Sequence, residues 1–203
     1  MGQAWSTLVT PLVLNGTRVR LRALSATEHA VVWRGLLAEP EVARWLGDGG
    51  PPASRLTVAI ERREDGALIG GVALCDLTED GAAELVIAIA DPLARGRGLG
   101  REAIALLVGH ATEGLGLREV YLRVQADNRR AVRCYLACGF VKEGVILRRR
   151  GETLEAPVVL MSRRSAPAGP GTAKARPESR ENGQRRARTD RPCVPKGADA
   201  PTP

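Results

Sequence analysis

Residues Arg95 to Gly100 read Arg-Gly-Arg-Gly-Leu-Gly, between an apolar run with strand-like alternation and an apolar run with helical spacing. Glycine tolerates backbone angles closed to other residues and carries no side chain, so three alternate glycines let the backbone approach a ligand and turn its N–H groups outward. The helix that follows puts the positive end of its dipole at the same point. Strand, glycine turn and helix together make a cradle for an anion, most naturally a phosphate or pyrophosphate. A plain connecting turn is the other reading of such a stretch. Two familiar phosphate loops do not match. A Walker loop ends in Gly-Lys-Ser/Thr, whereas Gly100 is followed by Arg101 and Glu102. A dinucleotide loop runs G-x-G-x-x-G, whereas Gly96, Gly98 and Gly100 are evenly spaced.

The 203 residues suffice for one domain and a tail. Aromatic residues make up only 3% of the chain, so its core must be aliphatic and alanine-rich. No apolar run reaches the length of a membrane span, and Met1 to Pro11 lacks the pattern of a secretory signal, so the expectation is a cytoplasmic protein with no membrane partner. Cys75, Cys134, Cys138 and Cys193, with the distant His29 and His110, form no metal-binding pattern, and no metal is expected. The cysteines read as core filler in a reducing compartment.

The net charge of +7 is concentrated at one end. Residues 163–203 hold ten of the 30 Lys/Arg and four of the 23 Asp/Glu, together with seven of the 13 prolines and no aromatic residue. Such a segment cannot bury enough apolar surface to offset its ordering entropy. The expected division is a folded domain over 1–165 and a disordered, basic, proline-rich tail over 166–203. The tail reads as a solvated extension, or as an arm that contacts nucleic acid or the ribosome through phosphate charge.

Along the folded part, Leu8–Leu14 and Arg18–Leu24 flank Asn15-Gly16, a hairpin signal. Ser25 and Glu28 have capping-box spacing ahead of a helix. Pro40 interrupts that helix, and Glu41–Leu46 suits a second short one. Leu56–Glu61, Leu68–Cys75 and Glu84–Ala90 read as strands. Arg101–Glu113 reads as a helix and Val120–Gln125 as a strand. A helix capped by Asp127 or Asn128 then runs to Cys138, and strands follow at Phe140–Leu147 and Ala156–Met161. Helices set among antiparallel-type strands predict an α/β (α+β) fold with a mixed, mostly antiparallel central sheet flanked by helices.

Period two puts Glu84, Val86, Ala88 and Ala90 on one strand face and Leu85, Ile87 and Ile89 on the other. Asp91-Pro92 ends pairing beside the glycine turn. Asn128, Ala131 and Tyr135 share a helix face. An anion cradle, a strand with free amides, a carboxylate and a tyrosine suit acyl transfer from a thioester to an amine. Glu84, directly or through water, can take the amine proton. Backbone N–H groups at the end of the strand can polarise the acyl carbonyl. Tyr135 can protonate the departing thiolate. Cys134, next to Tyr135, reads as a small apolar filler rather than a covalent catalyst, and Trp33 and Trp45 as core or pocket wall.

The run Asp91-Pro92-x-x-Arg95-Gly-Arg-Gly-Leu-Gly100, followed by Asn128-x-x-Ala131-x-x-x-Tyr135-x-x-x-Gly139-Phe140, resembles the GNAT superfamily of N-acetyltransferases over residues 12–162. The resemblance implies a GNAT-like acyl-CoA acyltransferase fold and acetyl-CoA as acetyl donor. It implies cofactor contacts at Ile89, Ala90, Arg95, Gly96, Arg97, Gly98, Leu99, Gly100, Arg101 and Asn128. It also implies Tyr135 as general acid and Glu84, or water, as base. Val19–Leu24, Ala43–Gly47 and Gly151-Glu152 are similar to the branch of ribosomal-protein alanine acetyltransferases and aminoglycoside 6′-N-acetyltransferases. The stretch after Trp45-Leu46-Gly47 is shorter than in that branch.

The expected acceptor is therefore a primary amine, first a peptide or protein N-terminus and second an aminoglycoside. The reading from a different class is a non-catalytic module that binds acyl-CoA or docks on ribosomes.

Overall fold

The computed structural model describes residues 12–46, 56–147, 149–150, 153–154 and 156–165. The expected strand residues 8–11, the stretch 47–55, Gly151-Glu152 and the basic tail 166–203 lie outside the described residues.

The chain opens with the hairpin expected at Asn15-Gly16: β1 (Val13–Asn15) pairs antiparallel with β2 (Val19–Ala23), Leu14 facing Leu21. Helix α1 (Ala26–Leu37) starts at a complete capping box, in which the Ser25 hydroxyl accepts from the Glu28 N–H and the Glu28 carboxylate accepts from the Ser25 N–H. Helix α2 (Pro40–Leu46) follows, with proline at its first position, where the missing N–H costs nothing.

Strands β3 (Leu56–Arg62), β4 (Leu68–Cys75) and β5 (Ala82–Ile89) then form an antiparallel meander. A single 3₁₀ turn at Pro92–Ala94 leads through the glycine loop into α3 (Leu99–Gly109), which ends in a π-helical turn at His110–Gly114. Strand β6 (Glu119–Gln125), helix α4 (Arg129–Ala137) and strand β7 (Val141–Ile146) follow. The short hairpin β8 (Arg149–Arg150) and β9 (Thr153–Leu154), which periodicity did not reveal, precedes the last strand, β10 (Val158–Arg164).

The main sheet has the order β1-β2-β3-β4-β5-β6-β10-β7, antiparallel throughout except for β5 beside β6. Its larger core lies under α3 and α4, where Leu21, Ile60, Val72, Leu85, Ile104, Leu107, Leu122, Phe140 and Met161 are buried together. A smaller cluster of Trp33, Leu36, Val42, Ala73 and Ala88 packs α1 and α2 on the opposite face. Strand β5 thus serves both faces with the expected parity, Leu85, Ile87 and Ile89 toward α3 and Val86, Ala88 and Ala90 toward α1 and α2. No helix among the described residues is long and apolar enough to cross a membrane.

Candidate active site

The site is a break in the sheet. β5 and β6 pair only from Ala82 to Glu84 against Glu119 to Tyr121. Beyond that point β5 stays with β4 as far as Ile89, and β6 stays with β10 as far as Gln125, so the two strands splay. Alternation in an antiparallel ladder then decides which amides face the opening. The Ala90 N–H donates to the Ile69 carbonyl at 2.9 Å. In the register that pairs Gly70 with Ile89, Ala90, Ala88 and Val86 therefore bond β4, and Ile89 and Ile87 turn their N–H groups into the gap. Of the two strand-end amides expected at the cofactor, Ile89 is free to polarise an acyl carbonyl and Ala90 is not.

A cavity of about 600 Å³ fills the gap and crosses the sheet. On one side it is walled by Val42, Trp45, Leu46 and Ala88, on the other by Ile104, Asn128, Ala131 and Tyr135, with Gly96, Gly98 and Gly100 at one end. The loop takes its shape from two glycines in the left-handed region, Gly96 at φ 72° and Gly98 at φ 81°. A side chain at either would be strained there. Gly98 is the N-cap of α3 and has no side chain to cap it, so the first amides of α3 are left for a ligand.

The expected cofactor residues separate into distinct roles. Gly96, Gly98, Gly100 and Arg101 line the cavity. Arg97 is exposed and its carbonyl accepts from Arg18 Nη1 at 2.8 Å. Leu99 is buried in the core beneath α3, so its side chain secures the helix rather than meeting a ligand. Arg95 touches the cavity, but its guanidinium turns away from the loop amides. Nε and Nη2 donate to the carbonyls of Ile89 and Ala90, each at 2.9 Å, and the remaining N–H groups reach Glu39 and Glu41 on the α2 side. Arg95 thus clasps the end of β5 to the start of α2. Asn128 caps α4, its Oδ1 accepting from the Ala131 N–H at 3.1 Å, and also lines the cavity.

Tyr135 lines the cavity with only 8% of its surface exposed and meets Phe140 edge-on, ring centroids 6.0 Å apart. Burial, with smaller contributions from Cys134 and Cys138, raises its phenol above the ordinary tyrosine range. Glu84 is placed differently from the expectation of a free base. It is buried, it does not line the cavity, and both its oxygens accept from Arg123, Nε to Oε1 at 2.8 Å and Nη2 to Oε2. Arg123, which does line the cavity, stands where Glu84 was expected. Beside this pair, burial, with Glu84 the next contribution, pushes the Tyr121 phenol up to about 12.

Sequence reasoning missed the groups that hold the loop from a distance. Arg18, on the first hairpin, bonds the Glu102 carboxylate through its backbone N–H at 2.8 Å and through Nε at 3.1 Å, which ties β2 to the first turn of α3. It also missed Arg130, which joins Glu41 across the cavity wall, and Arg133. The clue to Arg123 was present: it lies in strand period on the face of β6 that alternates with buried Val120, Leu122 and Val124. Trp33 is core and Trp45 is wall, with the Arg44 guanidinium 4.7 Å above the Trp45 ring. No cluster of potential metal ligands occurs among the described residues.

Residues 50–141 match the family model of the acetyltransferase (GNAT) domain. Over that stretch the chain is similar to GNAT acetyltransferases. The matched segment holds β3 to α4 and the whole glycine loop. A mycothiol acetyltransferase of Mycobacteroides abscessus is 46% identical over 65 residues, which is 32% of this chain and 21% of that protein, so the match spans about a fifth of the relative. Two solved structures share the GNAT fold. Spermidine N-acetyltransferase from Vibrio cholerae, in complex with CoA and spermine, superposes with a TM-score of 0.62 at 24% identity, over 73% of this chain and 96% of that one. Ribosomal-protein-S5-alanine acetyltransferase from Vibrio fischeri superposes with a TM-score of 0.62 at 15% identity, over 75% and 96%.

Proposed function

We propose that the chain transfers an acetyl group from acetyl-CoA to a primary amine by direct attack, and that its acceptor is an α-amine at the start of a peptide or protein. The observation that carries this reading is the splay of β5 from β6. It puts free amides, an anion cradle and a tyrosine around one cavity that opens on both faces of the sheet.

The donor fits this cavity from end to end. Its pyrophosphate is held by the loop amides from Gly96 to Arg101 and by the dipole of α3. Arg101, Arg130 and Arg133 add positive charge on that side. The thioester arm lies along Ile87 and Ile89, whose amides hydrogen-bond it as a missing strand would. The Ile89 N–H polarises the acyl carbonyl and stabilises the tetrahedral oxyanion.

The amine enters from the α2 side, past Trp45 and Ala88. It must be neutral to attack, and water takes its proton, because Arg123 occupies the Glu84 carboxylate. Tyr135 donates to the departing thiolate. With its phenol raised by burial it keeps its proton at every working pH and acts as a hydrogen-bond donor to the sulfur.

Charge selects the acceptor class. Among the described lining residues there are five arginines and one acid, Glu41, which Arg95 and Arg130 already neutralise. A polyamine or a polycationic aminoglycoside finds no unpaired carboxylate there. A peptide α-amine brings a carbonyl beside the amine, and the Arg123 guanidinium can donate to it. The test is acetylation of alanine- and serine-starting peptides against spermidine and an aminoglycoside at equal concentration. Peptide turnover at least tenfold faster supports the reading, and faster polyamine turnover overturns the acceptor assignment.

A further inference from the structure

Two cysteines lie four residues apart at the end of α4, Cys134 in its last turn and Cys138 as its C-cap, and neither has a role in the transfer above. The sequence expectation for both is small apolar filler. Cys138 fits it in part, being buried in the core. Cys134 does not. It is half-buried and lines the cavity beside Tyr135, with Arg101 facing it from the first turn of α3. The Cys138 sulfur lies between two acceptors, the Arg101 carbonyl at 3.7 Å and the Cys134 sulfur. One thiol thus meets the cavity, a second can turn its single S–H either to it or to the Arg101 carbonyl, and a guanidinium lies close enough to balance a negative charge. That is the arrangement that makes a cysteine reactive. The hydrogen bond from Cys138 and the charge of Arg101 outweigh burial and lower the Cys134 thiol from its ordinary range.

We propose that Cys134 and Cys138 form an oxidant-sensitive dithiol site in the wall of the cofactor cavity, Cys134 attacking and Cys138 resolving. The co-reactant is a peroxide. The Cys134 thiolate attacks one peroxide oxygen, the O–O bond breaks, and hydroxide leaves and takes up a proton as water. Cys134 is then a sulfenic acid. Cys138 attacks that sulfur, the S–S bond forms, the S–O bond breaks, and the hydroxide leaves as water with the Cys138 proton. The sum is two thiols and hydrogen peroxide giving one disulfide and two waters. A reducing dithiol reverses it by exchange.

The bridge cannot form without moving the helix. Residues four apart on a helix hold their Cβ atoms roughly 5–6 Å apart, and a disulfide needs them about 3.5–4.5 Å apart. Cys138 is the C-cap of α4, followed by Gly139 at φ 82°, so the last turn is the part that can be drawn in. That movement breaks the Cys138 contact to Arg101, pulls on the Cys138 carbonyl that Arg163 Nη1 holds at 3.0 Å, and disturbs the helix turn that carries Tyr135. Oxidation should therefore close or distort the cavity and weaken the cofactor.

The sequence supplies a clean readout. Trypsin cuts after Arg133 and Lys142, so residues 134–142 leave as one peptide with both cysteines and no other. The full-length chain carrying Cys193→Ser, which removes the tail thiol, is exposed to hydrogen peroxide, alkylated and digested. The expected peptide is about 2 Da lighter, takes up no alkylating agent, and is restored by dithiothreitol. Cys138→Ser is expected to abolish the 2 Da loss and leave Cys134 trappable by dimedone. Added CoA is expected to slow the reaction, and the oxidised chain to bind CoA several-fold more weakly. Recovery of the peptide with both thiols alkylated after peroxide overturns the proposal. Equal CoA affinity before and after oxidation overturns its link to the cavity. The mass change is read on the chain alone, so it stands or falls independently of acetyl transfer.

Discussion

Arg123 grips Glu84 with two of its guanidinium N–H groups, and this places a cation, not a carboxylate, at the apex of the β5–β6 splay. The pair is nearly sealed on the acidic side, the Glu84 side chain being 9% exposed. Glu84→Gln tests what that means for catalysis. Loss of a general base costs roughly 10²–10⁴ in rate. With water as base, Glu84→Gln lowers kcat less than tenfold and leaves the acid limb of the pH–rate profile unmoved. Arg123→Ala strands a buried carboxylate and costs on the order of 3 kcal/mol of stability in urea unfolding.

Tyr135→Phe removes only the hydroxyl. Turnover should fall at least a hundredfold while acetyl-CoA binding, followed calorimetrically, changes less than threefold. The pH dependence has a sign. Burial raises the Tyr135 phenol, so the donor form persists through the alkaline range and is lost only above the ordinary tyrosine value. The wild-type rate on the alkaline side should stay flat to about pH 10. A decline beginning near pH 8 would assign the proton to another group.

Arg95→Gln separates a clasp from a ligand. Its guanidinium is bonded to Ile89, Ala90, Glu39 and Glu41, and its side chain is 9% exposed. The variant should lose about 3 kcal/mol of stability and raise the acceptor KM, because the α2 wall loosens. Acetyl-CoA affinity should change least.

Gly98→Ala acts on the cradle itself. A Cβ there meets an Arg18 guanidinium nitrogen at 3.2 Å in a backbone conformation of φ 81°. The strain is about 1–2 kcal/mol, and the same change should weaken acetyl-CoA about tenfold in a binding titration. Gly109→Ala, in a helix where a Cβ meets nothing within 4 Å, should leave binding unchanged.

The glycine loop and the helix caps were legible because their signals are local. Asn128 caps its own helix, Ser25 and Glu28 close their own box, and Gly96 and Gly98 have the left-handed angles their residue type suggests. Strand parity likewise placed Ile89 and Ala88 on the correct faces of β5. What periodicity cannot show is which side of a strand offers free hydrogen bonds. That depends on the partner's register, and so Ile89 rather than Ala90 has the available amide. Ion pairs distant in sequence were equally hidden. Arg18 meets Glu102 across 84 positions, and Glu84 meets Arg123 across 39. Those two pairs decide how the loop is held and whether a carboxylate is free. The Cys134 and Cys138 spacing was visible, but not that α4 packs both of them against Arg101.

The most direct measurement is thiol release from acetyl-CoA with an alanine-starting peptide, run with wild type and Tyr135→Phe side by side and with donor binding recorded for both. The account predicts steady release by the wild type, a loss of at least a hundredfold in the variant, and donor affinity nearly equal in the two. Equal release by wild type and variant, or no acetyl-CoA binding by either, would contradict it.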